Sequence, residues 1–138
     1  MENILDQATR YVDTVDLSFD GEPFLHPAWP ECVQSCRRRG ISPMLETNAL
    51  LLDRELRREI LQAGIGSITF SIDAATPETY SRLKPSGDYD VAVANVEKFL
   101  REARRIKERP YIQVQFVLTD ENAGEAEAFL RQWRGKGA

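Results

Sequence analysis

Four short runs of apolar and β-branched residues punctuate a chain whose other apolar positions recur with helical spacing. The runs are Thr14 to Ser18, Pro43 to Thr47, Ser67 to Asp73 and Tyr111 to Leu118, and their composition predicts β-strands. The segments between them carry helix start and stop signals. Asp53 precedes a stretch with Leu56, Ile60 and Ala63 on one face, and Gly64 stands where that helix should stop. Thr76 before Pro77 predicts an N-cap followed by proline at the first helical position, where the missing N–H has no partner to lose. Asp90 is expected to cap the longest helix, running through Val93, Val96, Leu100, Ala103 and Ile106 until Pro110 breaks it. Asn122, with Glu125 three residues on, has the form of a capping box before Ala126, Phe129, Leu130 and Trp133.

Strands alternating with helices predict an α/β class, with parallel strands joined by right-handed crossovers. No linker or low-complexity tract interrupts the pattern, so residues 1–138 read as a single domain, with slack only at Lys84-Pro85-Ser86-Gly87. Composition agrees: 42% apolar residues in 138 supply a core without disulfides. The formal charge of -4 lacks the basic excess that nucleic-acid binding needs. The polar start Met1-Glu2-Asn3 is unlike a signal peptide, no apolar run is long enough for a membrane span, and two cysteines fit a reducing compartment. A cytoplasmic location, with neither membrane nor nucleic acid as partner, is the expectation.

Polar residues gather after every predicted strand: Asp20-Gly21-Glu22-Pro23, Thr47-Asn48, Ser71 with Asp73, and Thr119 to Asn122. In parallel β/α proteins the carboxyl ends of the strands are where ligands bind. The alternative is that Asp73 and Asn122 merely cap the following helices. Glu22 stands on a short, stiff stem, since Gly21 permits a tight bend and Pro23 fixes the exit. Such a carboxylate either receives an ammonium group or is an ordinary solvated turn residue.

The stretch Val15-Asp16-Leu17-Ser18-Phe19-Asp20-Gly21-Glu22-Pro23-Phe24-Leu25-His26-Pro27 resembles the second strand of radical S-adenosylmethionine (radical SAM) enzymes, whose turn reads G-G-E-P and then L-L-H-P. The resemblance continues in order. Thr47-Asn48-Ala49 looks like the family's T-N-G, Ser71-Ile72-Asp73-Ala74 with Glu78-Thr79-Tyr80 like its S-x-D-G and E-x-Y, and Tyr111 to Phe116 followed by Asn122 like its fifth strand. It implies a partial β/α barrel that binds S-adenosylmethionine through Gly21, Glu22, Pro23, Asn48, Ser71, Asp73 and Arg82. Glu22 would take the methionine ammonium group and Arg82 would approach the carboxylate. Asp20 and Ala49 replace family glycines and would crowd the ligand. The branch most similar carries a cysteine-rich, SPASM-type C-terminal extension and modifies peptides or proteins.

The radical chemistry of this family belongs to a 4Fe-4S cluster held by a C-x-x-x-C-x-x-C loop after the first strand. Cys32 and Cys36 have the first spacing only, since Arg39 stands at the third position. With Trp29 and Val33, Cys36 instead falls on one helical face, which predicts a core-facing thiol. His26 has no nucleophile in array, and Arg37-Arg38-Arg39 and the Arg101 to Glu108 charges read as solvated faces. The expectation is a fragment, with the family's first strand, its cluster loop and its last strand absent. Alone it is not expected to catalyse, and its exposed strand edges and inward faces should favour self-association. A cluster-free β/α binding module is the alternative. An unrelated barrel hydrolase or aldolase would need paired carboxylates, a lysine or a histidine at the strand ends, and the expected strand ends carry none of these.

Overall fold

The computed structural model describes residues 2–18 and 21–138. After helix α1 (Glu2–Ala8), strands β1 (Thr14–Asp16), β2 (Ser42–Thr47), β3 (Ser67–Ser71) and β4 (Tyr111–Gln115) form one sheet in chain order, every neighbouring pair parallel. Between them run α2 (Trp29–Arg38), α3 (Arg54–Ala63), α4 (Pro77–Leu83) and α5 (Tyr89–Ala103), and α6 (Ala126–Trp133) follows β4. The α/β class and its four parallel strands are therefore as expected.

Three strands stop earlier than expected, two because a side chain takes a ladder position and one because the backbone turns. In β1, Asp16 Oδ1 accepts from Ser18 N at 2.8 Å and turns the chain after Leu17. Beyond β3, Asp73 adopts a left-handed φ of 62°, which aspartate tolerates better than most residues. Beyond β4, Val117 N donates to Asp73 Oδ1 at 2.7 Å instead of to a strand.

Helix caps were read correctly at Asp53, Gly64 and Thr76. The longest helix is a correction: Asp88, not Asp90, accepts from Val91 N, at 3.1 Å, and Asp90 lies inside the first turn. The helix also ends at Ala103, leaving Ile106 exposed. The capping box is a second correction. Asn122 makes no cap bond to α6, and Leu130 of that helix is exposed.

The helices cover one face of the sheet. Leu45, Ile68, Phe70 and Ile112 point into that layer, where Ile60, Val96, Phe99 and Phe129 meet them in one cluster. Burying each such side chain contributes about 1.5–3 kcal/mol. Arg57 is buried between α3 and α5, donating to Leu52 O at 2.7 Å and pairing with Glu102 at 2.9 Å. Cys36 packs with Leu5 and Ile41 under α1.

The other face of the sheet is open. Glu46, Thr69 and Gln113 lie there side by side in register, with Ser71 and Gln115 two residues further on. These rows are polar, with Met44 below them. None of the described helices is long and apolar enough to cross a membrane.

Candidate functional site

Glu22 caps a short 3-10 turn, Pro23–Leu25, and reaches across to the end of β2. Its carboxylate accepts from Thr47 Oγ1 at 2.8 and 2.9 Å and from the backbone N–H of Asn48 at 3.0 Å, with a longer contact of 3.4 Å from Phe24 N. An ionised carboxylate has about four acceptor positions, so room remains for one further donor. Thr47 is buried, and its hydroxyl also accepts from Ala49 N at 3.1 Å, so the side chain that fixes Glu22 is itself fixed. Gly21 has a φ of 93°, where side chains are strained, and a Cβ there would meet open space. Glycine is thus required by backbone conformation.

Ala49, in the family's glycine position, keeps a left-handed φ of 65° while wholly buried, at a cost of roughly 1–2 kcal/mol. Asn95 Nδ2 donates to its carbonyl at 3.0 Å and helps hold that conformation. The methyl group packs in the core, so it does not crowd the strand ends. Asp20 lies outside the described residues. Asn48 uses Oδ1 on Leu50 N at 2.9 Å and lines the cavity described below.

At the end of β3, Ser71 Oγ donates to Asp73 Oδ2 at 2.8 Å. Lys84 lies across both: its ammonium pairs with Asp73 Oδ2 at 2.8 Å, donates to Ser71 Oγ at 2.9 Å and contacts Ser71 O. Arg82, in contrast, is exposed and donates to Thr79 Oγ1 at 3.0 Å, away from the strand-end cavity. A seven-residue helix ending at Leu83 directs the last cation, Lys84, inward and Arg82 outward. Reading the tract after Leu83 as slack hid this.

Glu22, Asn48, Ser71 and Lys84 are brought together around a cavity of about 280 Å³, with Ser18, Gly21, Glu46 and Thr47 completing its wall. Pro23 lines a neighbouring, more apolar cavity of about 460 Å³ with Leu17, Leu25, Trp29 and Leu45. Asp73 serves the site through Lys84. It also takes Val117 N, and its own carbonyl accepts from Asn122 Nδ2 at 2.8 Å. Asn122 is buried, donates to Val117 O at 2.8 Å and accepts from Thr119 N at 2.7 Å, so it braces the ends of β3 and β4 together. Neither side chain makes a capping hydrogen bond to a following helix.

Glu125 completes that brace from outside. It accepts from Ala75 N at 2.7 Å and from the hydroxyls of Thr76 and Thr79 at 2.6 Å each, at the start of α4. Burial pushes its carboxyl up, but these hydrogen bonds outweigh burial and hold its pKa below the ordinary carboxylate value.

The described cysteines do not fit an iron-sulfur cluster. The Cys36 thiol is buried, and its burial, with Cys32 nearby, raises its pKa, whereas cluster ligation takes thiolates. Cys32 faces the apolar cavity one helical turn away. Among the described residues, no group of three or more His, Cys, Asp or Glu side chains is placed to hold a metal ion. His26 accepts from Ala28 N at 3.1 Å at the start of α2 and lines the apolar cavity.

Comparison with known proteins finds relatives over most of the chain. The chain is 27% identical over 124 residues to the tungsten-containing aldehyde ferredoxin oxidoreductase cofactor-modifying protein of Pyrococcus furiosus, covering 86% of this chain and 34% of that protein. It is 25% identical over 116 residues to the Fe-coproporphyrin III synthase of Methanosarcina barkeri, covering 83% and 29%. It is 31% identical over 111 residues to a probable GTP 3',8-cyclase of Metallosphaera sedula, covering 80% and 33%. The chain thus spans about a third of the length of these relatives. Among solved structures, archaeal TYW1 superposes with a TM-score of 0.65 at 14% identity, covering 98% of this chain and 48% of that one, and so shares the fold. The model of the Radical SAM superfamily matches residues 1–132, nearly the whole sheet with its helices, and the chain belongs to that superfamily.

Proposed function

We propose that this chain supplies the S-adenosylmethionine-binding part of a radical SAM barrel, with Glu22 receiving the methionine ammonium group and Lys84 facing the methionine carboxylate. The observation that carries this reading is the pair of opposite charges on one cavity. The carboxylate of Glu22 has an open acceptor position, and the ammonium of Lys84 is held on Ser71 and Asp73 at the next strand end but one. An amino acid zwitterion presents the complementary pair. Asn48 and Ser71 add uncharged polar groups for the remaining ligand atoms. In the family, the bound sulfonium is the source of a 5'-deoxyadenosyl radical. That step belongs to a 4Fe-4S cluster, which Cys32 and Cys36 do not fit, so this chain's own part is to bind and orient.

The three curated relatives bear names of different reactions, so no substrate carries over from them. The run of motifs from Glu22 to Asn122 supports a reading in which the whole protein carries a SPASM-type extension and acts on a peptide or protein.

Calorimetric titration with S-adenosylmethionine tests the proposal. Losing one charge-assisted contact costs about 1.5–3 kcal/mol, so Glu22→Ala and Lys84→Met should each weaken binding about 10-fold or more. Arg82→Ala should bind like the parent. Equal affinity of Glu22→Ala and the parent would remove the assignment, and a loss confined to Arg82→Ala would move the carboxylate partner there.

A further inference from the structure

The open face of the sheet carries hydrogen-bonding groups where a closed barrel fills its interior with branched apolar side chains. Those groups are barely used. Thr69 Oγ1 donates to Gln113 Oε1 at 3.3 Å and Gln115 Nε2 to Glu46 Oε1 at 3.4 Å, both longer than well-formed hydrogen bonds. Two carboxamides and a carboxylate therefore retain most of their donor and acceptor capacity. Among the described residues the Glu46 carboxylate meets no cation, because Lys84, the basic side chain of its cavity, is paired with Asp73. Glu22, on the same cavity, is held by the neutral donors of Thr47 and Asn48 and keeps its open acceptor position. Glu46 thus adds a second negative charge that no described cation offsets.

We propose that Glu46, with Gln115 in contact and Gln113 beyond Thr69 in the same row, is the recognition site for a second ligand that presents nitrogen-bound hydrogens, an ammonium or a primary amide, and that it rejects anionic ligands. Glu46 accepts from the nitrogen, and the glutamines supply the amide and carbonyl partners that an amide-bearing ligand needs. The register places Glu46 level with Thr69, two residues below Ser71 along the sheet, on the lower wall of the cavity that Glu22 and Lys84 also line. It rests on the proposed S-adenosylmethionine site only for what lies beside it.

Nuclear magnetic resonance titration of the chain with butylammonium, butyramide and butyrate, three probes of one carbon skeleton, tests the proposal. Butylammonium and butyramide should shift the side-chain amide signals of Gln113 and Gln115, and butyrate should not. The isosteric Glu46→Gln should weaken the butylammonium response about tenfold while keeping that to butyramide. Gln113→Leu should weaken the butyramide response. Shifts from butyrate equal to those from the other two, no shift from any probe, or an unchanged butylammonium response in Glu46→Gln would overturn it. S-adenosylmethionine titrated separately reads the Glu22 end of the cavity, so the two assignments fail independently.

Discussion

Glu22 and Lys84 show how unevenly a sequence discloses the members of one site. Gly21 and Pro23 restrict the backbone around Glu22, so its placement is written in adjacent residues, and the carboxylate does reach the end of β2. Lys84 has no such local signature. Its direction depends on where a seven-residue helix ends and on Asp73, eleven residues earlier, and Arg82 was the more prominent cation in the same tract. Glu125 was equally hidden, because its partners at Thr76 and Thr79 lie on another element. Since its folded pKa is lowered, the stability it contributes is full above the unfolded carboxylate pKa and is lost as pH falls through the folded value. Glu125→Gln should therefore be less stable than the parent at neutral pH, by about 1–3 kcal/mol, with the gap closing on acidification. Denaturant melts between neutral and acid pH check this, and a gap that widens toward acid would refute it.

At the level of elements, periodicity and caps placed the four strands and the helices from α2 to α6, and the errors lie at ends where two candidates compete. Asp88 and Asp90 are both good caps two residues apart, and the choice is made by where Tyr89 must enter to pack against Tyr80, at 5.6 Å between ring centres. Asp88→Ala should destabilise the fold by about 0.5–2 kcal/mol and Asp90→Ala by less, because only Asp88 satisfies an orphan N–H of α5. Thermal melts of the two variants measure this, and the reverse order would restore the expected cap. Strand ends were overrun for a related reason: Asp16 and Asp73 divert ladder N–H groups, which alternation of apolar residues does not record.

For the whole molecule, the α/β class follows from the alternation of elements, and the superfamily from motifs recurring in the right order at successive strand ends. The polar face of the sheet was less legible. Glu46, Thr69 and Gln113 alternate with buried neighbours as any half-exposed strand would, and only the register shows that they meet. A sheet with helices on one side and hydrogen-bonding groups on the other suits the proposed ligand at its carboxyl edge, and mapping that ligand tests the account most directly. When S-adenosylmethionine is titrated into the labelled chain, the backbone amide signals of Gly21, Asn48 and Ser71 should move, and those of Ser42 and Ser67 at the opposite strand ends should stay. Shifts at Ser42 and Ser67 with Gly21, Asn48 and Ser71 unmoved would contradict it.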